Sequence, residues 1–220
     1  MAVVTISREF GSLGTSIGHK VAQSLKYEYI DKKLIEKVLL EYGMVAFEGV
    51  YNSTHNIWDI SSSYYKATKI DEIINMFSKT MRAFANINNI VLAGRAGFVL
   101  LNGYKDVLNV LVRAPFEVRV ARTMESMDMK DYDEASNYVI QQDHQRHNFI
   151  HTFYKANPNE ANWFNLVIDT GTVSEECATN WIIEAAENID KKHFDQEDSI
   201  KSIQVDNILK DAVLKAFRPD

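Results

Sequence analysis

One cysteine, three prolines and nine glycines are spread over 220 residues, and no apolar run is long enough to span a bilayer. A single cysteine, Cys177, excludes an intrachain disulfide and fits a reducing compartment. It is expected mid-helix with no basic residue beside it, so it reads as packing material. The longest apolar stretches, such as Phe98 to Leu101 and Val110 to Val112, fall far short of a transmembrane helix. Only a handful of apolar residues precede Ser7 and Arg8, too few for a secretory signal, and a cytoplasmic protein is expected. An excess of basic residues is missing too. Lys and Arg number 24 against 30 Asp and Glu, a net charge of −6, which argues against a non-specific binder of nucleic acid or of anionic membranes. A small phosphorylated ligand stays open, because it needs only a local cluster of Arg and Lys.

A lysine is absent where it would matter most. Val3 to Ile6 reads as a short buried strand, followed by a turn with Gly11 and Gly14 and then a helix to about Leu25. That arrangement aims a helix N-terminus and free backbone N–H groups at one spot, an anion site. A P-loop places Lys-Ser/Thr after Gly-x-x-x-x-Gly, so that the lysine reaches the β- and γ-phosphates and the hydroxyl holds magnesium. No lysine follows Gly11, Gly14 or Gly18 in that frame.

Four apolar runs set the fold class: Val3 to Ile6, Asn89 to Ala93, Val107 to Val112 and Leu166 to Ile168, with Tyr27 to Ile30 a weaker fifth. Runs apolar on both faces suit parallel strands covered by helices on each side. Between them the period changes to 3.6. Ile70, Ile73, Ile74, Phe77, Met81 and Phe84 form one helical stripe. Pro115 is expected in the first turn of a helix to about Met127. Ser174-Glu175-Glu176 opens another with an N-cap and acidic first turn, running to about Asn188. A last helix is expected over roughly 198–217, after a charged linker at 190–198, and it could dock on the domain or join two copies of the chain. Residues 43–69, with Tyr51, Trp58, Tyr64 and Tyr65, look like a surface insertion. Their aromatics read mainly as packing of that insertion, with base stacking the sharper alternative.

Basic residues fall at the expected C-terminal ends of the strands and on the helices that follow. Arg8 lies at the first turn and Arg95 follows Gly94; Arg119 and Arg122 share one helix and Arg146 lies on the next. Ligands of open parallel sheets sit at this rim, and guanidinium groups match phosphate oxygens. Taken singly, any of these arginines could instead be a solvated partner of Glu or Asp. His144, His147 and His151 share a helical face beside Asp143, read as a solvated or nucleotide-facing surface rather than a metal site.

Thr5-Ile6-Ser7-Arg8-Glu9-Phe10-Gly11-Ser12-x-Gly14, then Tyr29-Ile30-Asp31-Lys32-x-Leu34-Ile35, then Ala93-Gly94-Arg95 occur in that order. Together with Ala114-Pro115-x-Glu117-x-Arg119-x-x-Arg122 and Leu166 to Thr170, they closely resemble the cytidylate kinase-like family over about residues 3–186. The resemblance implies a three-layer αβα P-loop kinase-like fold with about five parallel strands, a helical monophosphate-binding insertion at about 40–86 and a helical lid at about 128–160. Residues 1–189 would form that domain and 190–220 a linker and an extra C-terminal helix. The implied activity is ATP-dependent, magnesium-assisted phosphoryl transfer to a nucleoside monophosphate, CMP or dCMP foremost. Carried over by position, Gly11, Ser12, Leu13, Gly14, Thr15 and Ser16 form the phosphate loop, and Ser16 stands on the magnesium side. Asp31, Arg95, Arg119, Arg122 and Asp143 would bind substrate, and Arg95 and Arg146 would act on the phosphates.

Three departures from the family pattern stand out. Gly14 occupies the slot of the P-loop lysine, Ala96 replaces the aspartate of Gly-Arg-Asp, and Thr15-Ser16 replaces a common Arg-Glu pair. An active kinase needs another cation at the transferring phosphoryl, and Arg8, leaving the first strand into the loop, is the candidate; Lys20 lies too far along the helix. A nucleotide-binding module without turnover is the alternative. A dinucleotide-binding oxidoreductase is a third reading, since Asp31 falls 20 residues after Gly11, but the glycine spacing does not fit G-x-G-x-x-G.

Overall fold

The computed structural model describes residues 2–41, 67–87 and 89–217. Five parallel strands form one sheet: β1 (Val3–Arg8), β2 (Glu28–Ile30), β3 (Ile90–Ala93), β4 (Val107–Arg113) and β5 (Leu166–Asp169). Their order is β2-β3-β1-β4-β5. The central strand β1 pairs with β3 on one side, Val4 opposite Val91, and with β4 on the other, Val4 opposite Leu108. The chain turns outward in both directions from β1, so the rim beyond Arg8 is a topological switch point, where ligands of such sheets bind. A dinucleotide fold would put β2 directly beside β1 in the order 3-2-1-4-5. Here β3 stands between them, which removes that reading.

Alternation along β1 sorts the two cores, because successive side chains of a strand point to opposite faces. Val4 and Ile6 pack with Ile17 and Val21 of helix α1 (Gly14–Leu25) and with Ala178 and Ile182 of α7 (Glu175–Asp190). Val3 faces the other layer. There α2 (Lys32–Glu41) and α3 (Ala67–Ile87) bury Ile35, Leu39, Met81 and Phe84. Phe84 is fully buried, and its loss to alanine carries a cost of about 3–5 kcal/mol. The expected three layers and five parallel strands are therefore present.

The remaining helices cap the rim. The short α4 (Gly97–Leu100) follows β3, α5 (Phe116–Ser126) follows β4, and α6 (Tyr132–Tyr154) covers most of the segment 128–160. Pro115 is the N-cap of α5 rather than a first-turn residue, a shift of one position.

The chain end differs from expectation. One helix over 198–217 was expected; instead two 3-10 turns, Gln196–Asp198 and Ile200–Ser202, precede α8 (Asn207–Ala216). Asp206 restarts the helix by accepting from Ile208 N at 3.0 Å and Leu209 N at 3.1 Å. Before it, Asp106 accepts the Ile200 N–H at 2.9 Å and holds the turns to the sheet. Leu209, Val213 and Ala216 enter the core of α2 and α3, and Phe84 meets Phe217 edge-on at 5.7 Å. This helix thus docks on its own domain. Cys177 lies in the first turn of α7, where its N–H reaches the Ser174 cap at 3.2 Å, and not mid-helix. Most of the expected insertion at 43–69, including Tyr51, Trp58, Tyr64 and Tyr65, lies outside the described residues.

Candidate functional site

The turn after β1 is shaped by two left-handed residues, Gly11 (φ 76°) and Leu13 (φ 66°). Gly11 cannot be replaced cheaply: a Cβ there would stand 2.7 Å from the Arg119 carbonyl oxygen. Leu13 is the N-cap of α1 and supplies no side-chain cap. The helical ladder starts at Ile17 N to Leu13 O, 2.9 Å, so the amides of Gly14, Thr15 and Ser16 precede it. They form the uncapped positive end of α1, suited to an anion. Ser12 serves differently. It is fully buried, its hydroxyl donates to Glu9 O at 2.8 Å, and its carbonyl accepts from Thr170 Oγ1 at 2.9 Å. Ser12 shapes the loop from beneath, while Thr15 and Ser16 are exposed at its mouth.

Arg8 leaves β1 through a corridor between two glycines. A Cβ on Gly14 would lie 2.5 Å from Arg8 Cβ, and one on Gly94 would lie 2.2 Å from Arg8 Nη1. Side chains cannot approach that closely, so the position of Arg8 requires both glycines. A side chain at residue 14 would run into the stem of Arg8 and into Val112 Cβ at 3.2 Å, so glycine is what fits there. Arg8 Nε is buried without a hydrogen-bond partner among the described residues. Burial is the main cause lowering the Arg8 pKa; Arg95 adds to it, while Tyr29 and Asp31 oppose.

The turn after β3 holds three successive left-handed residues, Gly94 (φ 74°), Arg95 (φ 55°) and Ala96 (φ 59°). Two of them are not glycine, a strained arrangement of the kind that collects at functional sites. It carries the Arg95 guanidinium 5.5 Å over the Phe149 ring of α6. Ala96 is wholly buried against Phe98, Ile150 and Ala156. An aspartate at that position would bury a charge in an apolar cluster, so this departure from the family pattern has a packing reason.

Asp143 ties α6 to the loop. Its Oδ1 accepts the Phe10 N–H at 2.8 Å and its Oδ2 accepts from Arg119 Nη1. Arg119 is buried; its Nη1 also donates to Phe10 O at 3.2 Å and its Nε to Ala114 O at 3.0 Å, beside Glu9 at 3.4 Å. Glu9 in turn accepts the Ala114 N–H at 3.1 Å. Arg146 stands 3.6 Å from Asp143 and 5.4 Å over the Phe10 ring, with Nη1 buried and lacking a hydrogen bond among the described residues. Burial, with Arg8, Arg95 and Arg119 nearby, lowers the Arg146 pKa to about 10 against the opposing pull of Asp143. Crowded guanidinium groups of this kind are relieved by a bound anion.

Other expected residues are placed as follows. Arg122 donates to Thr170 O at 2.8 Å and Thr170 Oγ1 at 3.0 Å, bracing the loop against the turn after β5. Asp31 caps α2 through Leu34 N at 3.0 Å and bears electrostatically on Arg8. Lys20 pairs with Glu175 at 2.8 Å on the outside of α1. Burial raises the Glu175 carboxyl, yet hydrogen bonds from Lys20 and Ser16 and the charges of Lys20 and Arg122 lower it on balance. The loop arginines, Arg8, Arg95, Arg119 and Arg146, thus converge, whereas Lys20 stays outside. His147 and His151 stack at 6.2 Å, and no group of three or more metal-ligating side chains occurs among the described residues. Glu9 and Phe10 enter the sequence reading only as motif members and Glu175 only as a first-turn acid, without a site role. The unbroken Ser-Arg-Glu-Phe run was the one available signal for the first two.

Residues 3–172 match the cytidylate kinase-like family. The chain belongs to that family. Among curated relatives, cytidylate kinase of Methanocaldococcus jannaschii is 25% identical over 86% of this chain and 99% of its own. Cytidylate kinase of Pyrobaculum calidifontis is 26% identical over 79% of this chain and 86% of its own. The crystal structure of an uncharacterized protein from Eubacterium ventriosum superposes with a TM-score of 0.65 at 20% identity, covering 85% of this chain and 99% of that one. The fold is the three-layer α/β kinase fold, and no helix among the described residues is long and apolar enough to cross a membrane.

Proposed function

We propose that the chain transfers the γ-phosphoryl group of ATP to a nucleoside monophosphate, CMP or dCMP foremost. The observation that carries this reading is the course of Arg8: its stem passes Gly14 at the start of α1 and its guanidinium reaches Gly94 in the turn after β3, between the phosphate loop and the arginines of the rim. Family membership and the names of the curated relatives support the same class.

Phosphoryl transfer is mainly positioning and charge neutralisation, and the proposed roles are drawn on that basis. The amides of Gly14, Thr15 and Ser16, in the loop Gly11 to Ser16, hold the donor phosphates. Arg8 takes the part of the absent lysine beside the transferring group. Arg95 and Arg146 approach from the turn after β3 and from α6, and bind the acceptor phosphate as charge develops. Asp31 lies at the acceptor side, next to Arg8. Arg119, Arg122 and Asp143 act one step back, by holding the loop that the phosphates touch.

Magnesium would stand at the Ser16 hydroxyl, which is exposed at the mouth of the loop; hard oxygen ligands and few protein donors suit that ion. When bound it neutralises charge on the phosphates. The test is coupled ADP release from MgATP over a panel of nucleoside monophosphates. Release that depends on a cytidine monophosphate supports the reading. Nucleotide binding without release for any acceptor supports a binding module instead.

A further inference from the structure

We propose that Asp143 is a positioning residue whose carboxylate makes the shape of the phosphate loop depend on the docking of α6, so that loop and lid order as one unit. The Phe10 peptide is held from both sides. Its N–H donates to Asp143 Oδ1 at 2.8 Å, its carbonyl accepts from Arg119 Nη1 at 3.2 Å, and that same nitrogen donates to Asp143 Oδ2, closing a ring. The Phe10 side chain is held by α6 as well, edge-on to Tyr138 at 5.3 Å and under Arg146 at 5.4 Å.

The loop offers little of its own to keep this form. Its own ties both run from Ser12 to the Glu9 carbonyl, from the hydroxyl at 2.8 Å and from the N–H at 3.4 Å, neither involves Phe10, and two of its residues are left-handed. Its shape is imposed from outside, and at Phe10 the imposing element is α6, which also carries Arg146. Docking α6 therefore sets the loop amides and delivers a cation in a single event. Linkage makes the relation reciprocal: an anion bound to the loop must stabilise α6 by the same free energy.

Hydrogen exchange on the whole chain tests this, with ADP as the loop ligand. Replacing Asp143 by Asn keeps the size and removes the charge-assisted bonds. Exchange in residues 9–14 and in 132–154 is expected to rise together, by about tenfold or more, while β1 and β4 stay protected. Adding ADP to the wild type slows exchange across α6, and in Asp143→Asn that protection of α6 is lost although ADP still binds. If Asp143→Asn does not fold, Tyr138→Leu, which removes only the ring against Phe10, loosens the same two segments. Loop exchange unchanged in either variant, or ADP protecting α6 equally in both proteins, overturns the proposal. The kinetic meaning rests on the kinase reading above, but the exchange of the ligand-free proteins does not. Failure of ADP to bind the wild type would sink that reading and leave the first comparison decisive for Asp143.

Discussion

A Cβ on Gly94 would stand 2.2 Å from Arg8 Nη1, so any side chain at 94 displaces the Arg8 guanidinium. Gly94 also has φ 74°, which L side chains rarely adopt. Gly94→Ala is therefore expected to destabilise the fold by about 1–3 kcal/mol through backbone strain and the displaced guanidinium. Turnover should fall with it, because the side chain that must move is Arg8. Thermal denaturation and steady-state kinetics on this variant check both parts. Unchanged melting and unchanged turnover would show that Arg8 does not need its corridor.

Much of the fold could be read from the residues because the strands are apolar on both faces. Val3 to Ile6 and Val107 to Val112 have no polar face to confuse the period, and the strand ends are marked by Gly94 and Pro115. The arginine rim was legible for the same reason, since Arg8 ends β1 and Arg95 follows β3 after a single glycine. What the sequence could not show was division of labour among the arginines. Arg119 and Arg122 look equivalent to Arg146 in spacing, yet they are consumed by Asp143, Phe10 and Thr170, partners 24, 109 and 48 residues away. The broken C-terminal helix was missed because the period of Ile203, Ile208 and Leu209 continues across it. Only Asp206, a polar residue capping two amides, marks the true start.

That cap gives a second prediction. Asp206→Ala removes acceptors for Ile208 N and Leu209 N, at a cost of ~1 kcal/mol. For a chain of this size that corresponds to a melting point lower by about 2–4 °C. Turnover should be untouched, because α8 packs on α2 and α3 away from the loop mouth. Loss of activity at unchanged melting temperature would place the C-terminal helix in the site.

A third prediction concerns ligand choice. MgATP or MgADP at a hundredfold excess over its dissociation constant should stabilise the chain by about 2.7 kcal/mol, read as a thermal shift. NAD(H) should give no shift, since β3 separates β2 from β1 and Asp31 caps α2. Equal stabilisation by NAD(H) would restore a dinucleotide reading that the strand order argues against.

The most direct measurement is turnover and ADP affinity of Arg8→Ala beside Lys20→Ala. Lys20 makes an exposed ion pair with Glu175, worth at most ~1 kcal/mol, and its loss should be mild in both assays. The proposed function makes Arg8 the cation at the transferring phosphoryl, where one preorganised donor commonly contributes ~10²–10³ in rate. Arg8→Ala should therefore lose turnover by at least about that factor while ADP still binds to the loop amides. A fully active Arg8→Ala enzyme, or a Lys20→Ala enzyme that is the inactive one of the pair, would contradict the assignment.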